Sequence, residues 1–234
     1  MRTALVLFVI FCVGFCGGLQ AQEQHGFEIG GYAGASNWKG RNFQVNLPQT
    51  TAPINLGYRY DNKPLYGVRV NLLSQRHWGG ELEYSYQKNT ASLTRDSFTP
   101  VALEGGVHQF FYNTVFYPNR YESSTLVPFV MAGIGVAGYQ LSSDTRAKAA
   151  DPRGYGIGNL LSIDKRFAFD YGGGVKARVQ RHVGVRLDFR HIFSDVPSYG
   201  LPKESTTPSQ VVLPIQGKLQ HFEVTGGIYF HVWK

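Results

Sequence analysis

The sequence predicts an all-β fold, an eight-stranded antiparallel transmembrane β-barrel. Apolar and polar residues alternate with a period of two in eight separate segments, as they do in strands whose two faces meet different surroundings. The connections between these segments are alternately short and long, which is typical of barrels with short periplasmic turns and long extracellular loops. The chain also contains 28 Gly, 14 Tyr and 16 Phe, a composition that favours closely packed strands.

The first 21 residues are predicted to be a secretory signal peptide, followed by an outer-membrane β-barrel domain over residues 22–234. Arg2 provides a short basic start, and residues 4–16 form an apolar run. This run is too short to cross a bilayer as a helix. Small and polar residues then lead to a cleavage point after Ala21. The chain is therefore expected to be exported.

The cysteines and the charge narrow the possible functions. Cys12 and Cys16 both lie in the signal peptide, so the mature chain is expected to have neither disulfides nor a thiolate metal site. The whole chain has 23 basic and 16 acidic residues and a charge of +7, and loss of Arg2 lowers this charge by one. In an exported protein, a net positive charge suits binding to an anionic lipid surface or serves solubility, and it is not evidence of nucleic-acid binding.

The first four predicted strands are justified by their alternation. Segment 27–34 alternates apolar residues with glycine and Glu28, and segment 66–72 sets four apolar residues opposite Arg69 and Asn71. Segment 81–87 separates Leu and Tyr from Glu, Ser and Gln. Segment 107–117 is aromatic on both faces, so its register stays open.

The last four predicted strands follow the same pattern. Segment 126–140 is rich in glycine and apolar residues, and segment 167–180 sets its charges opposite Val and Ala. Segment 183–190 is the clearest, with Val and Leu opposite Arg and Asp, and segment 219–233 closes the series. Eight strands is an even number and the smallest size of an outer-membrane barrel.

The connections are expected to lie alternately at the two ends of the barrel. The long, polar ones are 38–64, 88–106, 141–165 and 193–218. The short ones are 74–79, 118–125 and 180–182.

The charged faces of the strands are expected to point into the barrel, because lipid cannot solvate them. Opposite charges would then pair across the lumen and fill it, since a barrel of this size is about as wide as its own side chains. Glu28, Arg69 and Asp170 lie on these faces. The predicted lumen charge network is Glu81, Glu83, Lys176, Arg178, Arg186, Asp188, Arg190 and Glu223.

The opposite faces are expected to contact lipid. The predicted lipid-facing residues are Val68, Val70, Leu82, Tyr84, Val185, Leu187, Phe189, Val224, Ile228 and Phe230. Aromatic girdles are expected at both interfaces. The candidate girdle residues are Trp78, Tyr117, Tyr121 and Trp233 at one rim and Trp38, Tyr139, Phe193 and Tyr199 at the other.

The long loops suggest contacts with lipopolysaccharide phosphates, since cations bind phosphate strongly. Solvated loop charge is the alternative interpretation. The candidate residues are Lys39, Arg41, Arg59 and Lys63.

Three segments of this chain, at 128–135, 171–176 and 183–190, resemble the small bacterial outer-membrane β-barrel proteins related to the transmembrane domain of outer membrane protein A. The resemblance implies a monomer in the outer membrane of a diderm bacterium, assembled by the barrel assembly machinery. Such barrels usually end on an aromatic residue that this machinery reads. Here Trp233 precedes Lys234, so either Trp233 or the alternating residues before it would supply the signal.

No motif predicts an enzyme or a cofactor. Gly133, Gly135 and Gly138 match a dinucleotide fingerprint, but no helix with an apolar face is predicted directly after them. The His residues form no metal-binding pattern. His191, Ser194 and Asp195 could form a catalytic trio by residue type alone.

Four functions therefore remain open. The preferred one is a structural, envelope-integrity or surface-adhesion role for a barrel with a filled lumen. The alternatives are a narrow porin-like channel for small solutes or ions, a rim-loop enzyme acting on lipid A or peptides, and a secreted soluble calyx. The direction of Arg186, Asp188 and Arg190 distinguishes the membrane barrel from the calyx, because only the membrane barrel needs these charges inside.

Overall fold

A computed structural model describes residues 26–45, 54–73, 77–95, 101–119, 125–150, 161–201 and 217–233. The predicted signal peptide, residues 1–21, lies outside these described residues. The strands and the helix are β1 (Gly26–Lys39), β2 (Arg41–Val45), β3 (Ile54–Tyr60), β4 (Pro64–Leu73), β5 (Trp78–Arg95), β6 (Val101–Phe116), β7 (Leu126–Leu141), α1 (Ser143–Ala150), β8 (Asp164–Arg178), β9 (Val183–Asp195) and β10 (Lys218–Trp233).

Eight of these strands form a closed antiparallel barrel, which confirms the predicted fold. The order around the ring is β1, β4, β5, β6, β7, β8, β9 and β10. β10 then pairs with β1, where Phe27 lies opposite Trp233. Closure leaves these strands without the free edges that a membrane core does not tolerate.

Two of the predicted long loops contain strands. β2 and β3 form a hairpin within 38–64, and β3 pairs with β5 from Tyr60 opposite Ala91 to Leu56 opposite Arg95. The β5–β6 pairing continues within 88–106 as far as Leu93 opposite Val101. The prediction of loops was wrong here. Above the membrane no lipid covers the outer face of these strands, which is polar, and their inner face is short and buried at Tyr58, Tyr60 and Ala91.

These extensions form an outer sheet, which we define as β2, β3, residues 89–95 of β5 and residues 101–104 of β6. β2 is its terminal strand. The outer sheet rises from the end of the barrel opposite the chain termini, and the short turns lie at the end where Gly26 and Trp233 are.

The barrel is polar inside and apolar outside. Arg186, Asp188 and Arg190 point inward and are buried, whereas Val185, Leu187 and Phe189 point outward and are exposed. A soluble calyx requires the reverse arrangement, so this alternative is excluded. The structure also settles the register of β6, where Phe111 points inward and Phe110 outward.

The predicted aromatic girdle is partly wrong. Trp38, Tyr117, Tyr139 and Tyr199 are buried among inward-facing residues instead of facing lipid. Tyr and Trp combine an apolar body with a polar tip, so they suit a filled lumen as well as a membrane interface. Trp78 is exposed on the outside, and Phe193 is half-buried there. Tyr121 and the side chain of Trp233 lie outside the described residues.

Among the described residues, no helix is long and apolar enough to cross a membrane.

Candidate functional site

The lumen contains an ionic layer between two apolar layers. The lower layer lies towards the short turns and consists of Leu73, Val115, Tyr117, Val127, Phe129 and Met131. The upper layer lies towards the outer sheet and includes Trp38, Tyr58, Tyr60, Phe111, Tyr139, Ile192 and Tyr199. Buried polar and charged side chains occupy the space between them.

An ion pair between Lys176 and Glu28 forms the lower part of the ionic layer. Lys176 Nζ lies 2.5 Å from Glu28 Oε2 and donates a 2.9 Å hydrogen bond to the Tyr117 hydroxyl. These residues come from β8, β1 and the turn after β6. His231 Nδ1 lies 3.6 Å from the other oxygen of Glu28.

An arginine on β9 forms the centre of the network. Arg186 donates to both carboxylate oxygens of Glu81, the longer bond being 3.2 Å, and its Nε donates to Asp188 Oδ1 at 2.7 Å. The second oxygen of Asp188 accepts from Arg69 at 2.7 Å. Asp188 is therefore held between two guanidinium groups, a strong charge-assisted arrangement.

A second arginine on β9 joins three carboxylates in the upper part. Arg190 lies 2.7 Å from Glu83, 2.5 Å from Glu223 and 3.5 Å from Asp170. Glu83 also accepts a hydrogen bond from the Tyr32 hydroxyl. One cation thus connects β9 to β5, β8 and β10.

Two of these contacts cross the whole barrel. β5 and β9 lie on opposite sides of the ring, with three strands between them in either direction. Arg186 reaches Glu81 and Arg190 reaches Glu83 across this span. The charges therefore bridge the lumen at two levels, instead of lining its wall around an open centre.

Glycines make room for the largest inward side chains. A Cβ at Gly67 would meet the Tyr32 ring, and one at Gly184 would meet the Tyr229 ring. A Cβ at Gly133 would overlap Asn113 and approach Asp170 to 2.7 Å. The three glycines of the apparent dinucleotide fingerprint thus lie inside β7, and Gly133 and Gly135 are packed too closely to carry a side chain.

Residues 196–201, here called the outer plug, cover the outer end of the lumen. Four of the six are apolar or aromatic, and all but Gly200 are buried. Asp164 Oδ2 holds the outer plug by accepting from the backbone N–H of Ser198 at 2.5 Å and of Tyr199 at 3.0 Å. Arg166 donates to the same oxygen at 2.6 Å.

The Tyr199 hydroxyl completes this closure. It lies 2.6 Å from the Tyr60 hydroxyl and 3.1 Å from that of Tyr58. Burial raises the pKa of Tyr199 above its usual value. Tyr199 also adopts a positive φ of 52°, a conformation that costs about 1–3 kcal/mol and that the surrounding contacts must offset.

The structure places the predicted lumen residues inside the barrel. Seven of the eight are buried, and Arg178 is half-buried at the short-turn end of β8. Glu28, Arg69 and Asp170 belong to the same network. Sequence reasoning missed Tyr32 as a partner of Glu83, because an uncharged side chain is not expected in a charge network. It also missed Asp164, which begins β8 but falls within the predicted loop 141–165.

The predicted lipid-facing residues all point outward, and Val70 is the one that is half-buried. Of the candidate phosphate contacts, Lys39 and Arg59 are exposed on strand faces. Lys63 lies 3.6 Å from Asp61. The side chain of Arg41 lies outside the described residues.

The suggested catalytic trio does not come together. Ser194 points into the barrel, where its Oγ lies 2.5 Å from the Tyr139 hydroxyl. His191 and Asp195 lie on the opposite face of β9 because residues alternate along a strand. Within the described part of the chain, no group of three or more His, Cys, Asp or Glu residues could hold a metal ion.

Comparison with known proteins supports the membrane barrel. The family model described as "Outer membrane protein beta-barrel domain" matches residues 4–207. None of the curated protein sequences matches the chain.

Solved outer-membrane proteins share the fold. OprG from Pseudomonas aeruginosa has a TM-score of 0.53 at 13% identity, over 92% of this chain and 100% of that one. AlkL has a TM-score of 0.58 at 13% identity, over 93% and 95%. Neisserial surface protein A has a TM-score of 0.51 at 9% identity, over 90% and 100%. At such low identity these likenesses show the fold and no more.

Proposed function

Because this chain belongs to the outer membrane protein β-barrel domain family, we propose that it is a closed, non-conducting barrel with a structural, envelope-integrity or surface-adhesion role. The observation that carries this proposal is the ionic layer. Arg186 and Arg190 on β9 bind carboxylates of β5 across the full width of the barrel.

The energetics favour a filled lumen. Each charge in this layer is buried, and a buried charge that loses its partner costs about 3–5 kcal/mol. Opening a path for ions would require several of these pairs to separate together. The apolar layers on both sides and the outer plug add further obstruction.

The outer sheet supports a role at the cell surface. It presents β2 as a terminal strand beyond the barrel, and an exposed strand edge can pair with an extended segment of another molecule. We propose no catalytic activity, because His191 and Ser194 lie on opposite faces of β9.

Planar-bilayer recordings test the closed lumen. The unmodified barrel is expected to give no steady current, whereas Glu83→Gln or Arg186→Gln is expected to raise conductance by loosening the network. Leu82→Val is the matched control, because Leu82 lies between Glu81 and Glu83 but points outward. A steady, ion-selective current through the unmodified protein would contradict this proposal and favour a narrow channel.

A further inference from the structure

Two similar clusters mark the outer boundary of the lipid-facing surface. On β5 and β6, the Tyr84 hydroxyl lies 2.8 Å from His108 Nδ1, and the Tyr86 ring lies 4.7 Å from that imidazole. On β8 and β9, the Tyr171 hydroxyl lies 3.0 Å from His191 Nδ1. Aromatic residues that carry a polar group suit the interface between acyl chains and headgroups.

A lysine lies directly beyond each cluster. Lys88 follows Tyr86 by two residues and points to the same side of β5. Lys39 Nζ lies 4.9 Å from the centre of the Phe222 ring, which is stacked on His191 at 4.0 Å. The Lys39 ammonium therefore lies over an aromatic ring at the edge of the lipid-facing surface, within the range of a cation–π contact.

These two lysines differ from Lys218 and Lys63, two other lysines outside the barrel. Both are exposed and have no acidic partner among the described residues, whereas Lys218 lies 2.8 Å from Asp195 and Lys63 lies 3.6 Å from Asp61. Below them, the described outward-facing residues of the barrel strands include no Asp, Glu, Lys or Arg down to the short turns. At these two places, the first charges beyond the lipid-facing surface are therefore the positive charges of Lys39 and Lys88, which have no described acidic partner.

We propose that Lys39 and Lys88 each bind the phosphate of a phosphorylated lipid in the outer leaflet, whose acyl chains lie along the Tyr, His and Phe side chains beneath. The Lys39 site uses Phe222 and His191, and the Lys88 site uses Tyr86 and His108. Charge complementarity identifies the lipid, because a cation at this height meets the headgroup phosphate while the apolar surface meets the chains. The proposal does not depend on whether the lumen conducts.

The test measures lipid binding to the purified barrel in micelles of an uncharged maltoside detergent. Lipid A with two phosphates and fully dephosphorylated lipid A are the probes, and native mass spectrometry counts the lipids retained. A lysine near a membrane surface contributes about fivefold in affinity, so Lys39→Gln with Lys88→Gln is expected to weaken binding of the phosphorylated probe about fivefold at each of the two sites. Lys148→Gln is the matched control, because Lys148 is an exposed lysine on α1.

The proposal predicts that the double variant and the unmodified barrel bind dephosphorylated lipid A equally. Unchanged binding of the phosphorylated probe to the double variant would overturn it. An equal loss for both probes would also overturn it, because the lysines would then contact something other than phosphate. Displacement of the lipid by millimolar inorganic phosphate would show a site for the free anion and not for a lipid.

Discussion

Asp188 is a buried carboxylate of the lumen that is held by two guanidinium groups. It is buried and accepts from Arg69 and Arg186 at 2.7 Å each, and the Thr225 hydroxyl donates to it at 3.3 Å. A partly wet lumen would make its loss tolerable, and Leu187→Arg would then be the more harmful change. The buried contacts with two guanidinium groups instead predict that loss of Asp188 is at least as costly.

Asp188→Ala is therefore expected to destabilise the barrel at least as much as Leu187→Arg. Removing the carboxylate leaves Arg69 buried without its described ion partner, at a cost of about 3–5 kcal/mol. Arginine at a mid-membrane lipid-facing position costs about 2–4 kcal/mol. Reversible urea unfolding in lipid vesicles would compare the two variants, and a clearly milder Asp188→Ala would show that water reaches the network.

The direction of side chains could be predicted from sequence wherever the two faces differ in polarity, as in β9. Their partners could not be. Arg186 and Glu81 are separated by 105 residues, and their meeting depends on the tilt and stagger of strands around the ring. Trp38 and Tyr139 show a second limit, because an amphipathic side chain fits either side of the wall.

One carboxylate binds the backbone of the outer plug. Asp164 binds two backbone N–H groups of the plug and the Arg166 side chain. Asp164→Ala is expected to release Tyr199 from the mouth of the barrel while leaving the ion pairs below intact. Hydrogen exchange at residues 198 and 199 should then increase by at least tenfold, since each lost buried hydrogen bond contributes about 1–1.5 kcal/mol. Unchanged exchange would mean that packing alone holds the plug.

The same segment should respond to alkaline pH. Burial raises the pKa of the Tyr199 phenol, so the closed plug is favoured while this group stays protonated. The stabilisation is complete below the ordinary tyrosine pKa of about 10 and is lost as pH rises towards the raised value. Absorbance of tyrosinate would follow this titration. The titration should shift to lower pH in Asp164→Ala. An identical titration curve would show that the contacts of Asp164 do not keep Tyr199 buried.

The outer sheet is a separable element. Gly40 and Arg59 are neighbours across the hairpin, so an Asn-Gly turn can replace residues 41–58. This variant should still assemble, because β1 keeps its pairing with β4 and β10. Attachment of cells that display it should fall if the sheet makes surface contacts. Normal attachment with increased detergent sensitivity would instead favour a role in envelope integrity.

Strand existence inside the membrane could be predicted from sequence, but strand length could not. The predicted segment 81–87 grows to Trp78–Arg95 in the structure. The apolar alternation that marks a strand comes from lipid on one side, and it ends where the lipid ends. The burial of the outer plug could not be predicted from sequence either, because it depends on contacts with strands that are distant in the sequence.

The whole molecule should behave as an integral outer-membrane protein. Its outer surface exposes large apolar side chains on all eight barrel strands, and its strands form a closed hydrogen-bonded ring. The protein is expected to fractionate with outer membranes and to migrate differently on gels before and after heating in detergent. Recovery in the soluble periplasmic fraction without detergent would contradict the expected location of the barrel in the outer membrane.

The pairing of β1 with β10 also has a consequence for biosynthesis. Gly30 and Tyr229 face each other, so the seam joins the first barrel strand that leaves the ribosome to the last. Translation at about 5–20 residues per second separates these two strands by at least ~10 s. Throughout that interval and the export that follows, the earlier strands have an unpaired edge and no finished cylinder. We therefore expect this chain to depend on chaperones that keep it unfolded until its last strand is available.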